Sequence, residues 1–300
     1  MHNAKRPNLG QDTNSPHLTH RRIIQDSMLD VQTSIPPFLK WAGGKRWLTA
    51  SGVLDSIKTY NRYFEPFLGS GAVFFYLQPK VGVLSDFNQE LINLYLEIRA
   101  HPEQFRRRLC EHKVNHCPEY YYRIRSSVPS DALGRASRFL YLNRTCWNGL
   151  YRVNLRGEFN VPIGTKTQVI YDSDDFVEIS RILSNMHIRC VDFEETIDSA
   201  DKDDLLYVDP PYTVNHNMNG FLKYNEKIFS WDDQLRLSKA IKRASLRGVK
   251  ILISNADHHS VRNLYEDFAH VESIPRHSVI AGSVAGRKAT SELLIKINVE

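Results

Sequence analysis

Apolar residues fall in two patterns along this chain. Some form short unbroken runs that end in glycine or an acid. Others recur at the spacing of one helical face. Residues 62–77, RYFEPFLGSGAVFFYL, read as strand, glycine loop and helix, and residues 81–86, VGVLSD, as a second strand ending in an acid. Helical patterns follow over 88–99, 102–113, 119–126 and 131–145. Residues 146–164 are loop-like, with Gly149, Gly157, Pro162 and Gly164. Short strands are predicted at 187–191 and 204–208, the second running straight into Asp209-Pro210-Pro211-Tyr212. Residues 231–247 form an amphipathic helix with Leu235, Leu237, Ala240, Ile241 and Ala244 on its apolar face. A strand at 249–254, a helix at 259–268 and closing strands near 270–274 and 291–298 complete the pattern. Apolar strands alternating with helices predict an α/β sheet, mainly parallel, with the helical middle inserted into it. Residues 1–34 are polar and read as a flexible tail ending at Pro36-Pro37.

Composition narrows the class. The 300 residues are 42% hydrophobic and 24% charged, the proportions of an ordinary globular protein. No apolar run approaches the roughly 18 residues of a membrane span, and the first residues lack the apolar core of a secretory signal. Four scattered cysteines (Cys110, Cys117, Cys146, Cys190) fit a reducing compartment, and a cytoplasmic location is expected. The net charge of +5 gains meaning from its placement. Residues 101–166 hold 12 Lys and Arg against 5 Asp and Glu, so the remainder of the chain is slightly acidic. Tyr120, Tyr121, Tyr122, Arg123, Arg125, Arg144, Trp147, Arg152 and Arg156 interleave there, a composition that suits a nucleic-acid surface or a solvated basic face.

Three places could carry chemistry. Glu65-Pro66-Phe67-Leu68-Gly69-Ser70-Gly71 makes a strand-to-helix turn where glycines let backbone approach a ligand and a helix start offers N–H donors. It is neither GxGxxG nor a phosphate loop, so a smaller ligand lying across the strand ends fits it better; a purely structural turn is the alternative. Asp86 ends the next strand, where an acid takes ribose hydroxyls or caps the following helix. In Asp209-Pro210-Pro211-Tyr212, two prolines stiffen the chain and leave the Asp209 side chain and Pro210 carbonyl as acceptors beside a flat ring. Such a site can accept both protons of an exocyclic amine and stack its ring; a plain turn is the alternative.

FLKWAGGK, FEPFLGSGAVFF, SDFN, WNGLYRVNLRGEFNVPIG and DPPY occur in this order. Together they resemble the Dam-like DNA adenine-N6 methyltransferases, the D12 class in the α group of amino-methyltransferases, over roughly residues 36–298. The resemblance implies a Rossmann-like S-adenosylmethionine-dependent methyltransferase sheet with an inserted, mainly helical DNA-recognition domain. The catalytic domain would comprise 35–96 and 176–300, and the recognition domain 97–175. It assigns Trp41, Lys45, Glu65, Phe67, Gly69, Gly71, Asp86, Asp192, Phe193 and Asp209 to S-adenosylmethionine. Asp209, Pro210, Pro211 and Tyr212 would hold and activate a flipped-out adenine. Lys40, Asn148, Leu150, Arg152 and Pro162 would contact double-stranded DNA at GATC or a related GAT-containing site, with Arg152 reading guanine. Lys166 stands where an aromatic is expected in close GATC enzymes. No metal is implied. A monomer is expected, with a cognate restriction endonuclease acting on the same site as a possible partner.

Other features fit a background role. Cys110, His112, His116 and Cys117 lack the paired spacing of a zinc site. Cys146 follows Thr145 rather than a proline, unlike the nucleophile of a cytosine-C5 enzyme, and is expected to pack. A cytosine-N4 methyltransferase, which more often carries Ser in place of Asp209, and a non-catalytic DNA-binding relative are the competing readings.

Overall fold

The computed structural model describes residues 35–57, 59–154, 156–214, 229–277 and 289–299. The expected flexible tail, residues 1–34, lies outside the described residues. Among the described residues, seven strands form one sheet: β1 (Tyr63–Glu65), β2 (Gly82–Ser85), β3 (Met186–Arg189), β4 (Leu205–Val208), β5 (Lys250–Ala256), β6 (His270–His277) and β7 (Ala289–Ile297). Their order is β3-β2-β1-β4-β5-β7-β6. The neighbours from β3 to β5 are parallel, and β7 runs antiparallel to both β5 and β6. The chain order reverses between β1 and β4. In an open α/β sheet, ligands bind outside the carboxyl ends of the strands at such a switch point.

The strands are apolar throughout because both faces of the sheet are covered. Tyr63, Leu205, Tyr207, Leu252 and Leu294 join one buried cluster. Their neighbours Phe64, Leu206, Val208, Ile253 and Leu293 join another. Adjacent strand residues point to opposite faces, so an unbroken apolar run feeds two cores at once.

The helices are α1 (Arg46–Ala50), α2 (Ala72–Leu77), α3 (Gln89–Ala100), α4 (Pro102–Asn115), α5 (Pro118–Ser126), α6 (Ala132–Thr145), α7 (Phe176–Leu183), α8 (Phe193–Asp198), α9 (Trp231–Leu246) and α10 (His259–Arg262). Side chains set their starts. Asn88 accepts the N–H groups of Glu90 and Leu91 at α3, Asp131 that of Gly134 at α6, and Ser230 with Asp233 closes a capping box at α9. Among the described residues, no helix is long and apolar enough to cross a membrane.

Some expected elements differ. The helix foreseen over 259–268 is helical only over His259–Arg262. Beyond it, Tyr265 and Phe268 donate to carbonyls three residues back, tightening the chain into turns before β6. Within 146–164 the described residues are more ordered than a loop: antiparallel bridges join Cys146 to Ile163 and Val153 to Phe159, and the Gly157 N–H donates to the Asn154 carbonyl. The short helices α1 and α8, and α7, were absent from the pattern read above. Helices α4 and α6 pack on α3, α4 also meets α7, and α5 packs on α6. The expected boundaries of the recognition domain fall within α3 and at Asp175, the N-cap of α7.

One ion pair ties this helical layer to the chain before α1. The Arg144 guanidinium, wholly buried near the end of α6, meets Asp174 at 2.5 and 2.7 Å. It also donates to the carbonyls of Phe38 and Val169 and lies 4.2 Å from the centre of the Tyr171 ring. Removing one partner of a buried pair leaves the other charge uncompensated. Asp174→Ala is expected to lower unfolding free energy by about 3–5 kcal/mol, measured by urea denaturation. A loss under about 1 kcal/mol would show that the pair does not hold this layer.

Candidate active site

The glycine loop leaves β1 at Glu65 and enters α2 after Gly71. Gly69 and Gly71 both sit in the left-handed region, at φ 47° and 65°. A Cβ on Gly69 would lie 2.7 Å from Trp41 Cδ1, so this backbone closes directly on the indole. Asp86 follows β2 and organises the loop from the other side. Its Oδ2 accepts the Gly69 N–H at 3.1 Å and its Oδ1 the Asn88 N–H at 2.9 Å. The Tyr95 hydroxyl donates to the Gly69 carbonyl at 3.1 Å. Burial pushes the Asp86 carboxyl above its ordinary value, and the backbone donors pull it back.

Lys45 is the charged centre of the site. It immediately precedes α1, and its side chain is 3% exposed. Nζ lies 2.9 Å from Asp209 Oδ1 and 3.6 Å from Glu292 Oε2, donates to the Gly43 carbonyl at 2.7 Å, and stands 4.9 Å from the centre of the Tyr212 ring. Ser254 on β5 donates to the same oxygen of Asp209 at 3.0 Å and shares a 2.9 Å hydrogen bond with the Tyr207 hydroxyl. The Tyr212 hydroxyl donates to Glu292 at 2.8 Å. Burial pushes the Asp209 carboxyl up; the Lys45 ammonium opposes that and Glu292 adds to it. Glu65, 2% exposed, accepts from the Tyr63 hydroxyl at 2.8 Å. Burial pushes its carboxyl well above the usual range, although the Tyr63 bond works against this.

Lys45, Glu65, Asp86, Tyr207, Asp209 and Tyr212 line one cavity of about 830 Å³ at the β1–β4 switch point, with Glu292 and Ser254 behind them. Of the expected cofactor and catalytic residues, Trp41, Lys45, Glu65, Phe67, Gly69, Asp86, Asp192, Phe193, Asp209, Pro210, Pro211 and Tyr212 all line it. Gly71 is not among the lining residues; it serves as the N-cap of α2. At one end Phe67 stacks on Phe193 at 5.4 Å, and Asp192, the N-cap of α8, holds Arg236 at 2.9 Å. At another, Trp41 stacks on Tyr151 at 5.7 Å.

The expected DNA contacts lie beside this cavity, and of these only Leu150 lines it. Asn148 is exposed at φ 55°, next to a half-exposed Trp147. Arg152 and Pro162 are exposed on the bridged segment, and Arg152 Nε donates to Asn160 at 2.8 Å. The Lys40 chain packs against Gly149, where a Cβ would fall 2.4 Å from Lys40 Cδ. Burial lowers its ammonium below the ordinary lysine value. His112 and His116 instead face aromatic groups, bonding to the hydroxyls of Tyr120 and Tyr141. Cys146 is buried, and burial pushes its thiol up to about 11.

Several contributors escaped the sequence. Glu292, Ser254, Arg236 and Tyr151 belong to no motif quoted for cofactor or catalysis. Asn143, 1% exposed, accepts the Lys40 N–H at 2.9 Å and donates to the carbonyls of Lys40 and Gly149. A polar residue amid an apolar strand, as in SELLIKI, or late in an apolar helix was the available signal.

Comparison with known proteins identifies the family. A family model for the D12 class N6 adenine-specific DNA methyltransferase matches residues 41–279. The Type II methyltransferase M1.LlaDCHI of Lactococcus lactis subsp. cremoris is 37% identical over 267 residues, covering 86% of this chain and 92% of that protein. The Type II methyltransferase M.MjaIII of Methanocaldococcus jannaschii is 33% identical over 284 residues, covering 87% and 98%. The DNA adenine methylase of Escherichia coli K12 is 33% identical over 267 residues, covering 86% and 93%.

The Glu65 environment predicts a pH effect. Its folded-state value is raised, so the folded chain keeps a proton that the unfolded chain releases. The associated stability is complete below the unfolded value and is lost as pH rises through the folded one. Glu65→Gln keeps an acceptor for Tyr63 without the titration. Its urea midpoint is expected to fall less than the wild type's as pH rises above the unfolded chain's value of about 4.3. Equal slopes for the two proteins would contradict the assignment. Asp86 and Asp209 leave a residual slope of the same sign.

Proposed function

Because the chain belongs to the D12 class of N6 adenine-specific DNA methyltransferases, we propose that its cavity binds S-adenosylmethionine beside a flipped-out adenine from GATC or a related GAT-containing site. The supporting observation is adjacency: the Asp86–Gly69 cradle and the Asp209–Tyr212 acceptor site line the same cavity. Its donor set suits a cationic ligand. Burial pushes the carboxyls of Glu65, Asp86 and Asp209 above their ordinary values, a strain that a positive sulfonium would relieve. When bound, S-adenosylmethionine supplies a methyl group on an already cationic sulfur.

The chain's residues then do the positioning. Asp86 accepts ribose hydroxyls while still holding Gly69. Phe193 and Asp192 bound the adenine end, Trp41 and Glu65 the opposite end. A duplex shields an adenine amine, so the target base must leave the stack, at a cost of a few kcal/mol. Tyr212 offsets part of that by stacking. Asp209 and the Pro210 carbonyl accept the two N–H bonds of the amine, which orients its lone pair and concentrates charge on nitrogen. Positioning and electrostatics carry the rate. On the adjoining surface, Lys40, Asn148, Leu150, Arg152 and Pro162 read the site, with Arg152 placed for guanine O6 and N7. Residues 97–175, which contain this segment, act as the recognition region. The Type II names of two relatives support a role in protecting DNA against a cognate restriction endonuclease.

Incubating the protein with unmethylated genomic DNA and S-adenosylmethionine, then mapping modified bases, tests base and site together. N6-methyladenine at a GAT-containing sequence is expected; modification of cytosine instead would refute it. Asp209→Ala is expected to bind DNA but transfer label at under about 1% of the wild-type rate. Wild-type turnover in that variant would sink the acceptor role. Arg152→Ala is expected to relax choice at the guanine by about 1–3 kcal/mol of discrimination while retaining turnover on saturating DNA. An unchanged methylation map would rule out its reading role.

A further inference from the structure

We propose that Glu292 is a positioning residue for methyl transfer, acting by clamping the Tyr212 ring through its hydroxyl. The role rests on Tyr212 being the surface against which the target adenine stacks. Glu292 lies near the start of β7 with 3% of its surface exposed, followed by Leu293, Leu294 and Ile295, all wholly buried. A carboxylate among core positions is costly unless it is paired and hydrogen-bonded. Here both conditions are met by groups of the cavity. The Tyr212 hydroxyl donates to Oε2 at 2.8 Å, and the Lys45 ammonium stands 3.6 Å from the same oxygen.

Strand direction explains how a residue so late in the chain reaches the site. β7 is antiparallel to β5, and Glu292 pairs in register with Ala256, the last residue of β5. An antiparallel β7 therefore delivers its N-terminal end to the edge where the parallel strands terminate and the cavity opens. Two prolines stiffen the backbone before Tyr212, but they leave its side-chain torsions free. A hydrogen bond at the far end of the ring removes that freedom, and the Lys45 ammonium 4.9 Å from the ring centre limits tilt. The same ammonium offsets the Glu292 charge. Burial, the neighbouring carboxylates and the Glu292 bond all push the Tyr212 hydroxyl well above its ordinary value, so it remains a donor.

The test is a double-mutant cycle on the full chain, read as single-turnover transfer of labelled methyl from S-adenosylmethionine to duplex DNA. Glu292→Ala and Tyr212→Phe are each expected to slow transfer about tenfold, and the double variant no further than about the slower single, because one bond is lost in every case. Cofactor affinity is expected to stay within about twofold. Glu292→Gln keeps an oxygen for the Tyr212 hydroxyl and is expected to recover most of the rate. Glu292→Met, similar in length and free of charge, makes the same comparison if the alanine variant folds poorly. A wild-type rate in Glu292→Ala or Glu292→Met, or losses that multiply to about a hundredfold in the double variant, would overturn the role. A wild-type protein that methylates no adenine in DNA would overturn the function itself, an outcome distinct from either.

Discussion

The site depends on one buried ammonium. Lys45 meets Asp209, Glu292 and the Tyr212 ring, which come from the ends of β4 and β7, while Lys45 itself precedes α1. No local preference of the chain brings these three segments together. The strand order does, by placing β4 beside β1 and an antiparallel β7 beyond β5. The attraction is strong because water is excluded, and for the same reason no member can be lost cheaply: an unpaired buried charge costs about 3–5 kcal/mol. Fold and site are thus mutually dependent. The sheet assembles the charges, and the charges fix the turn after β4 in the conformation that presents acceptors to the cavity.

A second dependence runs between the cavity and the surface beside it. Asn143 bonds both the N–H and the carbonyl of Lys40 and also the carbonyl of Gly149. One side chain therefore holds the segment before α1 in register with the start of the bridged segment. One residue beyond Lys40 and two beyond Gly149, Trp41 stacks on Tyr151. Arg144, the next residue of α6, fixes Phe38 in the same manner. The residues assigned to DNA contact and those lining the cavity share these anchors. Displacing the bridged segment would move a wall of the cavity.

What was legible in the sequence follows from the range of the interactions involved. EPFLGSG, Asp86 and Asp209–Tyr212 were readable because each combines a local backbone requirement with adjacent functional groups. A left-handed glycine against an indole, an acid capping the next loop and two prolines all leave short signatures. The strands were readable because both faces bury apolar residues. Glu292, Asn143 and Arg144 were not, because each reaches a partner 80 to 106 residues away, Tyr212, Lys40 and Phe38 respectively, and no spacing rule connects them. Helix α8 spans only six residues, about one and a half turns, too few to establish a period. The bridged segment 146–164 carries no strand pattern because its order rests on two isolated pairings rather than on alternation.

Charge is sorted by depth, and the sorting bears on how DNA can be engaged. The positive excess belongs to residues 101–166, whose basic side chains are largely on the surface, while Glu65, Asp86 and Asp209 line the interior of the cavity. Exposed cations act on phosphates over about 8 Å at physiological salt. The carboxylates of Asp86 and Asp209 act at shorter range and with less screening. A DNA backbone approaching this protein is drawn to the outer surface, whereas the cations that line the cavity, Lys45 and Arg236, are already paired with carboxylates and offer a phosphate little. A base carries no net charge and has amine protons to donate, so it can pass where a phosphate cannot. On the proposed reading, the carboxyl groups that suit a sulfonium cation also favour the neutral part of a nucleotide, so entry of a base alone would be an electrostatic requirement as much as a matter of shape.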